Sequence, residues 1–371
     1  MQTQTLPLVP GSPGQSHCLQ VLRYGEAGRG PKATIQAALH ADEVPALLVA
    51  HHLRSSLQAL EAQGLVAGEV VLVPFANPLG LAQQVWGQHQ GRFDLRDGVN
   101  FNRGIPELAQ AAGDAVQGRL GTDAQTNRTL VRQALREAAA ALSAVHPVQD
   151  LKNRLLQLAI DSDIVLDLHC DAESVLHLYA LTPQADIAEE LGRLMGARAI
   201  LLATESGDSP FDEACSAPWH VLQQRYPAHP LPLGCFAATV ELRGQADTSH
   251  ALARRDADAI LAFLRLRGVL AGPAPGLPAP LCRPTPLAAS EPVTAPCAGV
   301  VVFHTETGQV VKPGDLVAEI VDPAAGGCTP LHAQSAGVVY ARMATRWATP
   351  GARLAKIAGH TLQRTGKLLS A

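Results

Sequence analysis

Two rhythms of hydrophobic and polar residues run along the chain, and the change from one to the other divides it. Up to about residue 271, short and largely apolar runs at 33–39, 70–75, 163–168, 199–203 and 236–242 are separated by longer helical stretches, several of them Ala-rich, at 44–60, 127–145, 151–160 and 187–195. An apolar run without alternation belongs to a strand buried on both faces, and strands interleaved with helices build a largely parallel sheet covered on both sides. The expected class is therefore α/β, a mostly parallel mixed sheet flanked by helices. Ligands of such sheets sit at the carboxyl ends of the strands, where His40, Asn77 and His169 fall.

Beyond that region the rhythm shortens to β-like runs punctuated by glycine. Seven prolines fall between 272 and 292, a composition that fixes φ and removes backbone donors. The expected organisation is a catalytic unit at 1–271, an extended connector at 272–292 outside any sheet or helix, and a β-domain at 293–371. Within the β-domain AGVV at 298–301 recurs at 336–339, PG at 313–314 recurs at 350–351, and LVAEI at 316–320 is echoed by RLAKI at 353–357. Two similar β-halves packed together follow from this repeat. The pattern resembles the biotinyl/lipoyl barrel. The hairpin at 322–327 holds no lysine to carry a cofactor, so a structural or oligomerising barrel is expected.

Composition narrows the partners. Hydrophobic residues at 47% and charged residues at 17% allow a large core, and a net charge of −4 without a dense Lys/Arg run argues against nucleic acid or an anionic membrane. No window reaches the roughly 18 uncharged apolar residues of a membrane span. The opening MQTQTLPLVPGSPGQSH lacks the basic start and apolar stretch of a secretory signal, and seven scattered cysteines without a CxxC pair suit reduced thiols. A cytoplasmic protein is expected.

Chemistry concentrates in three short motifs. His40-Ala41-Asp42-Glu43 sets an imidazole and a carboxylate three apart between a strand and a helix, a donor pair suited to a borderline ion such as Zn²⁺. Alone the spacing is equally that of a capping Glu beside a surface His. Asp167-Leu168-His169-Cys170-Asp171 adds His169 at the same sheet edge, while Cys170 is discounted because strand neighbours point to opposite faces. Three protein ligands leave a position open for water, as catalytic sites do. Glu241 closes the apolar run of the third motif, Val240-Glu241-Leu242-Arg243-Gly244, where a carboxylate needs a reason to be buried and a general base has one. A Glu241–Arg243 surface pair is the alternative. His51, His52, His177, His220 and His250 read as packing or surface groups, and Trp86 and Trp219 as core.

The set HxxE, NP, NxNR, DLHxD and VELRG, in that order from His40 to Gly244, resembles the succinylglutamate desuccinylase/aspartoacylase family of carboxypeptidase-like zinc hydrolases. Within it the chain is most similar to the branch with an added C-terminal barrel, that of Nα-acetyl-diaminobutyrate deacetylase. The resemblance implies one Zn²⁺ per chain held by His40, Glu43 and His169, Glu241 as base, and Asn102 with Arg103 on a substrate carboxylate. A guanidinium fork beside an amide suits that anion in its own right. The family's second arginine, which polarises the scissile carbonyl, corresponds to Arg92 or Arg96, with Arg92 preferred. One departure is HADE in place of the usual HGNE. The implied activity is hydrolysis of the amide bond of an N-acyl amino acid, with a carboxypeptidase acting on short peptides or a metal-free binding scaffold as alternatives. A small-molecule substrate, no nucleic acid, no membrane, and a homo-oligomer through the barrel complete the expectation.

Overall fold

The computed structural model describes residues 1–361 and 364–369. Its centre is a nine-stranded sheet in the spatial order Gln2–Pro7, Cys18–Gly25, Glu69–Val73, Lys32–Ala37, Ile164–Asp171, Phe236–Gly244, His177–Leu181, Ala199–Ala203 and Pro284–Pro286. Pairing is parallel except at the two junctions among the first three strands and between Phe236–Gly244 and His177–Leu181. The central strands bury both faces, as their unbroken apolar runs require. Ile35, Leu72, Leu166 and Val240 pack under the helices Pro45–Ala62, Ala185–Met195 and His250–Leu266. Val71, Val73, Val165 and Ala237 pack on the other face, under Ala124–Ala140, Pro147–Ala159 and Phe211–Arg225. Capping fixes where these helices begin: Asp123 accepts from the Thr126 N–H at 2.7 Å, and Ser249 accepts from the Leu252 N–H at 3.3 Å. Among the described residues no helix is long and apolar enough to cross a membrane.

The proline-rich stretch departs from expectation in its second half. Pro284–Pro286 joins the large sheet as an edge strand parallel to Ala199–Ala203, and Ser290–Thr294 is already a strand of the β-domain. An edge position accommodates proline because one side of the strand needs no donors.

The β-domain consists of two small sheets, and the sequence repeat maps onto them. Gly299–Phe303 pairs with Leu316–Val321 in one sheet, as Gly337–Arg342 pairs with Arg353–Ala358 in the other. The short strand of each half crosses to the opposite sheet: Val310–Val311 pairs with Gly337–Arg342, and Trp347–Ala348 with Gly299–Phe303. Two apolar clusters, one around Val311, Val339 and Ile357 and one around Ile320, Ala348 and Leu354, fill the space between.

The domain docks directly on the catalytic unit. Glu173–Ser174, immediately after the strand of His169, pairs antiparallel with Gly337–Arg342. Arg342 donates from Nε to Glu173 at 2.7 Å and from Nη1 to the Thr305 carbonyl at 2.7 Å. Lys356 Nζ donates to Asp171 Oδ2 at 2.6 Å. Arg342→Ala removes a half-buried cation and leaves the Thr305 carbonyl without that donor, while Glu173 keeps only Arg346, so stability should fall by roughly 1–3 kcal/mol. Limited proteolysis should show faster cutting within 272–283, and an unchanged melting curve and cleavage rate would contradict the docking role.

Candidate active site

Parallel pairing places Glu241 directly opposite His169 in the register of neighbouring strands. Three residues past the end of Lys32–Ala37, the chain turns through Ala38, whose φ of 57° is costly for a residue with a Cβ, and presents His40 at the same end of the sheet. The turn is held from several sides. Asn77 Nδ2 donates to the Leu39 carbonyl at 2.9 Å, while its Oδ1 accepts from the Gly80 N–H at 2.8 Å. The Ala41 N–H donates to the Gly91 carbonyl at 3.0 Å, and a Cβ on Gly91 would stand 2.2 Å from the Asp42 nitrogen. The Asn-Pro motif and Gly91 thus shape the HADE turn, which keeps its two ligands in reach without the glycine and asparagine usual there.

His40, Glu43 and His169 meet as one buried cluster. Glu43 Oε1 lies 2.9 Å from His40 Nδ1, and Oε2 lies 2.8 Å from His169 Nδ1. The Cys170 N–H also donates to Oε2, at 3.0 Å; the thiol itself is pushed well above its usual range by burial and by Glu43. The outer nitrogens have their own partners. His40 Nε2 faces Asn100 Oδ1 at 2.8 Å, and that oxygen also accepts from the Asn102 N–H at 2.8 Å, which fixes it as an acceptor. His169 Nε2 stands 2.9 Å from Asp167 Oδ2. Each Nδ1 thus faces a Glu43 oxygen, and although burial opposes it, Asp167 and Glu43 raise the His169 imidazole well above its usual range. One donor atom from each of the three residues stands within 4.8 Å of the others, close enough to share one ion. Two imidazoles oriented by an amide and a carboxylate, with one glutamate, are a donor set that fits a divalent metal of the Zn²⁺ kind.

The remaining candidates border the same cavity of about 650 Å³, lined in part by Arg92, Asn102, Arg103 and Glu241. Arg92 Nη1 is 3.1 Å from Glu43 Oε1 and 3.2 Å from His40 Nδ1. Arg96 is bound instead to Asp94, with contacts down to 2.6 Å, and does not line the cavity. Asn102 Oδ1 accepts from the Phe211 N–H at 2.8 Å, which leaves its Nδ2 for the cavity side, 3.5 Å from His169 Nε2. Arg103 Nη1 donates to the Asn102 carbonyl at 2.7 Å. Arg243 turns away at a β-bulge with φ 71° and pairs with Asp256, so it is no partner for Glu241. Glu241 Oε2 is buried with no hydrogen-bond partner among the described residues, and burial together with Glu43 raises its carboxyl to about 8. Burial and Arg92 hold His40 down to about 4.

Two residues inside the motifs had been given no role, Asn100 at the start of NxNR and Asp167 at the start of DLHxD. Asn100 and Asp167 orient the histidines; the signal for Asp167 was its place two residues before His169, on the same face of the strand. The β-domain is more than a structural appendage, because Arg342, Met343, Arg353 and Lys356 form the far wall of the cavity. The other histidines keep their plain roles: His52 Nε2 and His250 Nδ1 stand 3.1 Å apart between two helices, and His177 is buried against the Val175 carbonyl. Trp219 is core, but Trp86 is 97% exposed at the tip of a small hairpin, contrary to the expectation that it packs inside.

Residues 29–267 match the family model described as the succinylglutamate desuccinylase/aspartoacylase catalytic domain. No curated protein matches the chain. Among solved structures, one from Shewanella amazonensis, named for that family, is 29% identical, covers 96% of this chain and 98% of its own, and superposes with a TM-score of 0.86. A second, from Shewanella frigidimarina, is 26% identical over 96% and 97% of the two chains, with a TM-score of 0.84. The ectoine utilization protein EutE (DoeB) of Ruegeria pomeroyi, in a product-bound structure, shares the fold at 17% identity over 96% and 93%, with a TM-score of 0.67.

Asn100→Ala removes the acceptor that orients His40. Loss of such an outer partner typically weakens metal binding about 10- to 100-fold, which competition against a chelator measures. Equal affinity in the variant would show that Asn100 does not serve the cluster.

Proposed function

The chain belongs to the succinylglutamate desuccinylase/aspartoacylase family, and on that premise we propose that it is a zinc-dependent deacylase. Its substrate is an N-acyl amino acid, or a related small amide with a free carboxylate, whose amide bond it hydrolyses. The observation that carries this reading is the convergence of His40, Glu43 and His169 beside Glu241, a buried carboxylate with an unengaged oxygen on the same cavity. An acid held in that state has little structural use and suits proton transfer.

His40, Glu43 and His169 would hold the zinc, which would supply a Lewis acid for the amide carbonyl and a lowered pKa for a water molecule. Glu241 takes the proton that the attacking water gives up and returns it to the nitrogen of the leaving amine. Arg92, on the open side of the cluster, donates to the carbonyl oxygen as negative charge develops on it. Arg103 and the Asn102 amide grip the substrate carboxylate, which fixes the scissile bond relative to the base.

Glu241→Gln keeps the shape of the side chain and removes the base. Elemental analysis should still find about one zinc per chain while turnover falls by ~10²–10⁴; full turnover would end the assignment of Glu241. Arg103→Ala should raise KM for an N-acyl amino acid by roughly 10- to 100-fold, or ~1.5–3 kcal/mol of charge-assisted bonding. The parent enzyme should strongly prefer the acid to its carboxamide, and equal rates on both would refute the requirement for a carboxylate.

A further inference from the structure

Lys152 is an unusual residue to find inside a helix–sheet interface. It lies on the helix Pro147–Ala159, is only 6% exposed, and makes no hydrogen bond to a carboxylate among the described residues. Burial lowers the pKa of its ammonium, and only through-space attraction by Asp97 and then Asp94 opposes this, with Asp94 itself engaged by Arg96. The Lys152 ammonium donates instead to two backbone carbonyls, Arg103 O at 2.6 Å and Asn100 O at 3.3 Å. Burying a cation against neutral dipoles is costly, and an apolar side chain would fill the same space at less cost.

The two carbonyls are the ends of one tetrapeptide, Asn100-Phe101-Asn102-Arg103. At its first residue, Asn100 Oδ1 faces His40 Nε2 at 2.8 Å. At its third and fourth, Asn102 and Arg103 line the cavity. Behind the segment lies a second cavity of about 560 Å³, bordered by Asp97, Val99, Arg103, Lys152 and Asp208. Arg103 therefore borders two open spaces. The helix that supplies Lys152 is well anchored: Leu151 and Leu155 are buried, and Asp150 on the same helix accepts from the Val9 N–H at 2.8 Å.

We propose that Lys152 is a positioning residue that clamps both ends of this segment, setting the carboxylate grip of Asn102 and Arg103 and the orientation of His40 from one point. The inference rests on the deacylase reading for its substrate half, whereas its His40 half concerns metal retention alone. A loop free to shift by about 1 Å can cost as much as 10²-fold in a positioned reaction, which gives the retained charge its function.

The test uses the full-length, zinc-loaded protein with Lys152→Met, which replaces the apolar stem without the ammonium donors, and Lys152→Arg, which keeps the charge. In Lys152→Met, KM for an N-acyl amino acid should rise at least ~10-fold while KM for its carboxamide hardly moves, so the preference for the acid collapses. Zinc release to a chelator should quicken by about tenfold, as for a lost outer partner, and Lys152→Arg should recover part of both effects. A role confined to stability would lower the melting temperature but leave the acid-to-amide ratio and the release rate at parental values, and that result overturns the proposal. If the parent itself shows no preference for the acid, the substrate reading has failed, and zinc release alone then decides on Lys152. Should Lys152→Met fail to fold, Lys152→Gln, which keeps one donor, takes its place; failure of both to fold assigns the residue to stability and likewise overturns the proposal.

Discussion

Glu43 sits between the Nδ1 atoms of His40 and His169, out of reach of solvent, and an ionised carboxylate there is untenable without positive charge close by. Much around it can be understood as meeting that demand. The Cys170 N–H and Arg92 each offer it a donor, and Asn100 and Asp167 stand at the outer nitrogens of the two imidazoles, whose Nδ1 atoms face it. The cluster gathers donors of the kind that a divalent cation takes. The strained turn at Ala38 and the close approach of Gly91 to Asp42 follow from bringing a loop residue, a helix-leading residue and a strand residue to one point.

The same geometry explains why part of the site could be read from the chain and part could not. His40 and Glu43 are three residues apart, and His169 and Glu241 end apolar strands, so their meeting depends on local pattern and sheet order, both of which leave marks in sequence. Arg92 and Arg96 could not be separated that way. Two arginines four residues apart in an irregular loop have no periodicity to tell them apart, and the outcome turned on Asp94 capturing Arg96. Lys152 was equally silent: on a helix, one lysine among polar neighbours looks like a solvated side chain until the loop that covers it is known.

The β-domain shows the limit from the other side. Its internal repeat revealed two similar halves, and the missing hairpin lysine spoke against a carrier role, but nothing in a repeat tells which face meets a neighbour. That was decided by Asp171 and Glu173, two acids just beyond His169 whose partners, Lys356 and Arg342, lie far along the chain. The proline-rich connector was likewise legible as extended, though its capture as an edge strand depended on the open side of Ala199–Ala203.

That long-range pairing has a consequence for how the protein comes into being. Lys356 is 185 residues removed from Asp171 in sequence. At about 5–20 residues per second on a ribosome, roughly ten to forty seconds separate the synthesis of the strand bearing His169 from that of its covering wall. During that interval His40, Glu43 and His169 are already made, whereas Arg342, Arg353 and Lys356, which close the cavity, are not. The wall made last thus turns an open sheet edge into an enclosed cavity, so the chamber takes its shape only after the residues on its floor are in place.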